Sequence, residues 1–125
     1  MPYGCLNGGT LSGKYHEEGA MSKLQKSNSR HASFPNFQPR YHHELSMKMS
    51  KKYSDLAKKH NLTPSQLALA WALSRKYNHS IIIGATTMEQ LKENIDSVHI
   101  TLSEEILAEV DELHRQQPNP NVKEV

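Results

Sequence analysis

A single cysteine, Cys5, stands in 125 residues, so no internal disulfide framework can form and a reducing compartment is the natural setting. No apolar run approaches the ~20 residues needed to span a bilayer. No signal-peptide pattern follows Met1-Pro2-Tyr3, which leads straight into glycine-rich sequence. The expectation is a soluble, cytoplasmic chain with no membrane partner. Charge of one sign is also scarce: 15 Lys and Arg against 13 Asp and Glu leave a net charge of +2. Nucleic acid calls for a concentrated basic stripe, so no nucleic-acid partner is expected. The lysines within residues 48–59 lie on a helical pattern with Glu44 and Asp55 nearby, and read as a solvated face. Metal-ligand spacing is missing despite eight histidines. His42-His43-Glu44 lacks the second histidine of H-E-x-x-H, and there is no Cys-x-x-Cys, so no metal is expected. The hydrophobic fraction of 36% is lean, yet the length suffices for one small domain with a core.

What is there reads as α/β. Residues 3–6 form a plausible short strand, interrupted by Gly4. A polar loop over residues 8–39 follows, with turn signals at Ser27-Asn28-Ser29-Arg30 and Pro35-Asn36. A loop of such length is usually functional or disordered. Leu45, Met49, Tyr53, Leu56 and Ala57 recur at helical spacing over residues 43–60, and Asn61 is a good stop. Thr63-Pro64-Ser65-Gln66 then opens a second helix, with Pro64 at its first position and Gln66 completing a capping box. Leu67, Ala70, Trp71 and Ser74 are expected on one packed face. Residues 79–83 are a β-branched run of the kind covered on both faces in a parallel sheet. Thr87-Met88-Glu89-Gln90 is another capping box, and Leu91, Ile95 and Val98 are expected to face the core. Ser103 caps the last helix, with Leu102 and Leu107 as a hydrophobic staple and Ile106, Val110 and Leu113 as its stripe. Pro118-Asn119-Pro120 should end regular structure, giving one domain over residues 1–120 and a mobile tail at 121–125.

Two glycine turns invite a phosphate. Gly8-Gly9-Thr10-Leu11-Ser12-Gly13-Lys14 satisfies G-x-x-x-x-G-K, but Tyr15 stands where a P-loop needs Ser or Thr for Mg²⁺, and no helix follows. A phosphate-hydrolysing loop is therefore disfavoured. Ile81-Ile82-Ile83-Gly84-Ala85-Thr86-Thr87-Met88-Glu89-Gln90 reads as strand, tight turn and helix start. Such a junction aims free N–H groups and the positive end of the helix dipole at one point. Gln90, Glu93 and Asn94 share a helix face adjacent to the apolar stripe. By themselves they read better as a capping residue and two surface residues.

These stretches closely resemble the aldo-keto reductases, in a branch nearer to the bacterial-type and potassium-channel-β-like members than to the aldose reductases. Leu6-Asn7-Gly8-Gly9-Thr10-Leu11-Ser12-Gly13-Lys14-Tyr15 is similar to the loop after the family's seventh barrel strand. The run from Ile81 to Asn94 is similar to the last strand-to-helix unit. Gln66-Leu67-Ala68-Leu69-Ala70-Trp71 and Thr101-Leu102-Ser103-Glu104-Glu105 extend the likeness over nearly the whole chain. The resemblance implies the C-terminal part of a (β/α)₈ barrel, NADP(H) as cofactor and a small carbonyl compound as substrate. It places the backbone at Leu6, Asn7 and Gly8, in a loop that includes Ser12, along the pyrophosphate. It brings Lys14 and Arg30 to the adenosine 2′-phosphate, with Arg30 open also to reading as a solvated loop charge. Thr86 meets that phosphate, Gly84 permits close approach, and Gln90, Glu93 and Asn94 contact adenine and ribose. Tyr3 falls where a ring stacks on the nicotinamide, or is an ordinary strand aromatic. Gly4-Cys5 replaces the family's frequent Ser-Pro, removing one hydroxyl.

A complete barrel takes ~250 residues, so the resemblance covers only its last two strands and their helices. The family's catalytic tyrosine, lysine, aspartate and histidine come from earlier strands, and no position here matches them. The chain is thus expected to carry the cofactor half of a reductase and to be inactive alone. The alternative is a non-enzymatic binding or regulatory module derived from the same barrel. Coding sequence continuing upstream of Met1 into the missing strands would separate the two. Open strand edges also predict that the isolated chain is partly molten or aggregated.

Overall fold

The structure is a computed structural model that describes residues 1–16, 34, 38–41 and 43–122. Four helices carry it: α1 (Glu44–Lys59), α2 (Pro64–Ser74), α3 (Met88–Asp96) and α4 (Glu104–Gln116). Short 3₁₀ turns occupy Asn7–Ser12, Pro39–Tyr41 and Ser97–His99.

The helix ends follow local chemistry. At the end of α1, Asn61 takes φ 56°. Leu62 N–H donates to Ala57 O (2.9 Å) and Asn61 N–H to Lys58 O (3.1 Å). This pair of bonds satisfies carbonyls that the helix end would otherwise leave without partners. At α2 the capping box is complete: Gln66 N–H donates to Thr63 Oγ1 (3.1 Å) and Thr63 N–H to Gln66 Oε1 (3.0 Å). Ser103 caps α4 by accepting from Ile106 N–H at 3.3 Å. Leu102 and Leu107, flanking that cap, pack together with the core as the staple pattern requires.

The core lies where α1, α2 and α4 meet. Leu56, Ala57, Leu67, Ala70, Leu102, Ile106 and Val110 form it, with Tyr53, Leu62 and Leu113 against its rim. A network of ions ties α1 to α4 outside it. Glu109 accepts from Lys59 Nζ and from His60 Nε2, each at 2.8 Å.

Three expectations need correction. First, neither residues 3–6 nor residues 79–83 form a strand, and no strand exists among the described residues. One rung joins the two segments, Ile82 N–H donating to Pro2 O at 3.0 Å. A strand inside a parallel barrel needs neighbours on both edges and cover on both faces, and the described residues supply neither. Ile82 is 52% exposed and Ile83 36%. Second, Ile95 and Val98 are exposed instead of facing the core, and Asn94 is the buried residue of α3. The helix rests on α2 by its polar edge. Third, α2 is buried on more than one side, through Ser65, Leu67, Leu69, Ala70 and Ala72, while Trp71 is partly exposed and Ser74 lies at the surface. Trp71 is covered instead by the Arg75 guanidinium, 4.9 Å above its ring.

Candidate functional site

The glycine-rich loop is shaped by its backbone. Asn7, Gly8 and Gly9 are left-handed in succession, at φ 52°, 66° and 95°. Glycine bears such angles without strain, and asparagine bears them better than most side chains. Gly9 and Leu11 both donate N–H to Leu6 O, at 2.9 and 3.1 Å. Thr10, fully buried, donates its hydroxyl to Asn7 O at 2.9 Å. The Ser12 hydroxyl donates to Gly9 O at 2.6 Å. Gly13 lies flat against α2: a Cβ there would sit 2.9 Å from Pro64 Cγ. Lys14 extends from this loop at the surface, its ammonium 4.9 Å over the centre of the buried Tyr15 ring. Among the described residues the Gly8–Lys14 near-match to a P-loop opens no helix, residues 13–16 being turn and bend.

Below the loop, His16 Nε2 lies 2.9 Å from Ser50 Oγ on α1. Burial holds this imidazole below the ordinary histidine range, and the nearby Lys51 ammonium lowers it further.

The second glycine turn has a different character. Beyond its chain neighbours, Gly84 has no atom of the described residues within 4 Å of where a Cβ would stand, so no described contact requires glycine. Thr87 Oγ1 accepts from Gln90 N–H (3.2 Å), half of the expected capping box. The other half is displaced by one residue. Gln90 Oε1 accepts from Thr86 N–H (2.9 Å) and Thr86 Oγ1–H (3.0 Å) rather than from Thr87 N–H. Two donors thus close on one oxygen at the N-terminal end of α3.

The three residues expected on one recognition face differ in their engagements. Gln90 is exposed and bonded to Thr86. Glu93 is half-buried and accepts the Thr63 hydroxyl. Asn94 is buried and donates Nδ2–H to Gly84 O at 3.1 Å, which fixes the turn to the helix.

The start of α2 touches both the loop and α3. Gly13 packs on Pro64, and Glu93 accepts from Thr63, the residue before it. Tyr3 is 80% exposed. It lines a cavity of about 490 Å³, mostly apolar, with Cys5, Tyr53, Trp71, Val110 and His114. None of the other expected site residues lines that cavity. Leu6 and Gly8 are half-buried within the loop. Arg30 lies outside the described residues.

One cluster has no signal in the local sequence. His60, Glu105 and Glu109 bring donor atoms within 4.8 Å of one another, from the end of α1 and one side of α4. Lys59 already pairs with Glu109 there. Only the packing of α4 on α1 joins these residues, so spacing rules cannot find them. Among the described residues no helix is long and apolar enough to cross a membrane.

Comparison with known proteins identifies the class. The profile described as the aldo/keto reductase family matches residues 1–115. The chain belongs to the aldo/keto reductase family. Protein tas of Escherichia coli is 40% identical over 115 residues, covering 92% of this chain and 32% of that protein. An aldo-keto reductase of Babesia bovis is 30% identical over 123 residues, covering 96% of this chain and 42% of its own length. A potassium channel β-subunit-like protein of Schizosaccharomyces pombe is 42% identical over 65 residues, half of this chain and 19% of that protein. The chain therefore spans about a third of the length of protein tas, and its likeness includes the potassium-channel-β-like branch.

Proposed function

We propose that this chain is the C-terminal, cofactor-binding portion of an NADP(H)-dependent aldo-keto reductase that acts on small carbonyl compounds. The observation that carries the reading is the pair of Thr86 donors converging on one oxygen, Gln90 Oε1, at 2.9 and 3.0 Å. A phosphate oxygen is a stronger acceptor than an amide oxygen at a helix N-terminus, where the dipole adds to the attraction. Gln90 is exposed and can swing aside, giving its place to the 2′-phosphate and turning its amide toward the adenine. Gly84 supports the same reading, because the empty space above it fits close approach by a ligand.

The remaining residues fall into roles along the cofactor. The left-handed run Asn7-Gly8-Gly9, next to Leu6 and followed by Ser12, lies along the pyrophosphate, while the Asn7 and Gly9 N–H groups donate to Gly4 O and Leu6 O. Lys14, raised from Tyr15, reaches the 2′-phosphate as a mobile point charge, joined by Arg30. Glu93 and Asn94 complete the adenosine side, with Asn94 acting through the Gly84 carbonyl it holds. Tyr3, exposed here, covers the nicotinamide once the barrel surrounds it. When bound, NADPH supplies the hydride. The proton donor comes from the barrel strands that this chain does not carry, so residues 1–125 alone bind and orient but do not reduce.

The test is a fluorescence titration of the chain with NADPH and NADH, repeated for Lys14→Ala and Arg30→Ala. Each substitution should weaken NADPH by roughly tenfold or more and leave NADH within about twofold, because a charge-assisted phosphate contact is worth more than 1.4 kcal/mol. Equal losses for both cofactors would show that these residues do not hold the 2′-phosphate.

A further inference from the structure

Asn121 lies beyond the end of α4 at Gln116 and beyond the family match at residue 115. Its amide nevertheless reaches the other end of the chain. Asn121 Nδ2 donates to Asn7 Oδ1 at 2.7 Å. Asn121 Oδ1 accepts from Ser46 Oγ at 2.8 Å and from Asn7 Nδ2 at 3.3 Å. Asn7 Nδ2 also donates to Thr10 Oγ1 at 2.8 Å. Ser46 and Thr10 are 1% and 0% exposed, so the contact is anchored on buried hydroxyls of α1 and of the loop. Pro118 and Pro120 stiffen the segment that delivers Asn121, reducing the entropy lost on closing it.

Asn7 is the first of the three left-handed residues in the loop. An asparagine in this conformation commonly bonds to its own neighbouring backbone. Here both ends of its amide are instead taken by side chains, one from the remote C-terminal segment. The Asn121 bonds therefore hold Asn7 from outside the loop, beside the Thr10 bond within it.

We propose that Asn121 is a positioning residue. Its reciprocal amide clasp with Asn7, seated on Ser46, holds the Asn7-Gly8-Gly9 backbone in the form that meets the cofactor pyrophosphate. The proposal rests on the cofactor reading above. It makes cofactor affinity depend on a C-terminal strap that the family match does not include.

The experiment compares the full chain with Asn121→Ala by hydrogen–deuterium exchange and by NADPH titration at low micromolar protein. In the variant, the Gly9 and Leu11 amides should exchange about tenfold faster, while α2 amides keep their rate, as local opening requires. NADPH affinity should fall roughly fivefold with NADH falling alike, because the pyrophosphate is common to both. Unchanged loop exchange, or faster exchange in α2 to the same degree, would overturn the clasp. If the unsubstituted chain binds no NADPH while Asn121→Ala still loosens the loop, the cofactor reading fails and the positioning role fails with it. If NADPH binds and Asn121→Ala alters neither exchange nor affinity, the cofactor reading stands and the clasp alone is refuted.

Discussion

The glycine loop and the segment at residues 79–90 carry the two halves of one proposed cofactor site, yet the chain treats them oppositely. The loop has no repeating structure beyond short turns, but Thr10 is fully buried and Tyr15 is 4% exposed. The second segment reads as a buried strand, but Ile82 is 52% exposed. The difference lies in where each finds its partners. The loop packs on α1 and α2, which lie within the chain, and its polar groups bond internally. The isoleucines need neighbouring strands, which a barrel provides and the described residues do not. Apolar sequence alone therefore does not secure burial; the covering elements must be in the same molecule.

Substitutions in the two glycine turns should separate most widely. Gly13→Ala forces a Cβ to 2.9 Å from Pro64 Cγ at φ 82°. The cost should be about 2–4 kcal/mol by urea denaturation, from backbone strain and overpacking together. Gly84→Ala meets open space, and should change stability by less than about 0.5 kcal/mol while weakening NADPH. A costly Gly84→Ala or a silent Gly13→Ala would reverse the contrast.

Hydrophobic truncations give the next effect. Leu69, 1% exposed on α2, should lose about 2–5 kcal/mol as Leu69→Ala. Ile82→Lys should stay within about 0.5 kcal/mol and lower self-association in sedimentation, because it removes exposed apolar surface from an open edge. A large destabilisation by Ile82→Lys would mean that the isoleucine run is covered after all.

The smallest effect is a pH dependence beside the loop. Folding depresses the His16 pKa, chiefly by burial and then by Lys51. The neutral ring is therefore the favoured form, and its contribution is intact above the ordinary histidine range. It is lost as pH falls through the folded value below that range. His16→Gln should flatten this acid slope in thermal melts; an unchanged slope would assign it to other groups.

Helix termini were the most legible part of the sequence because their signals are local. Thr63, Ser103 and Asn61 each act within four residues of their own position, and each does what its type suggests. The strands were legible as pattern but not as outcome, since no neighbouring strand to pair with them occurs among the described residues. The face of α3 was misread because Ile95 and Val98 are apolar while the buried position falls to Asn94, which a carbonyl at Gly84 can satisfy. Within the candidate site, the glycine turns could be read from their spacing. The Gln90 bond to Thr86 could not, because a capping box and its one-residue displacement look alike in sequence. Contacts across long separations, such as Asn7 with Asn121, have no local signature at all.

The central claim is that this chain binds the 2′-phosphorylated adenosine end of NADP(H). Its most direct test is backbone and side-chain NMR of the chain titrated with 2′,5′-ADP and, separately, with 5′-AMP. The account predicts saturable shifts at Thr86, Gln90 and Lys14 with 2′,5′-ADP, at concentrations where 5′-AMP leaves all three in place. Equal shifts from both nucleotides, or shifts that bypass Thr86 and Lys14, would contradict it.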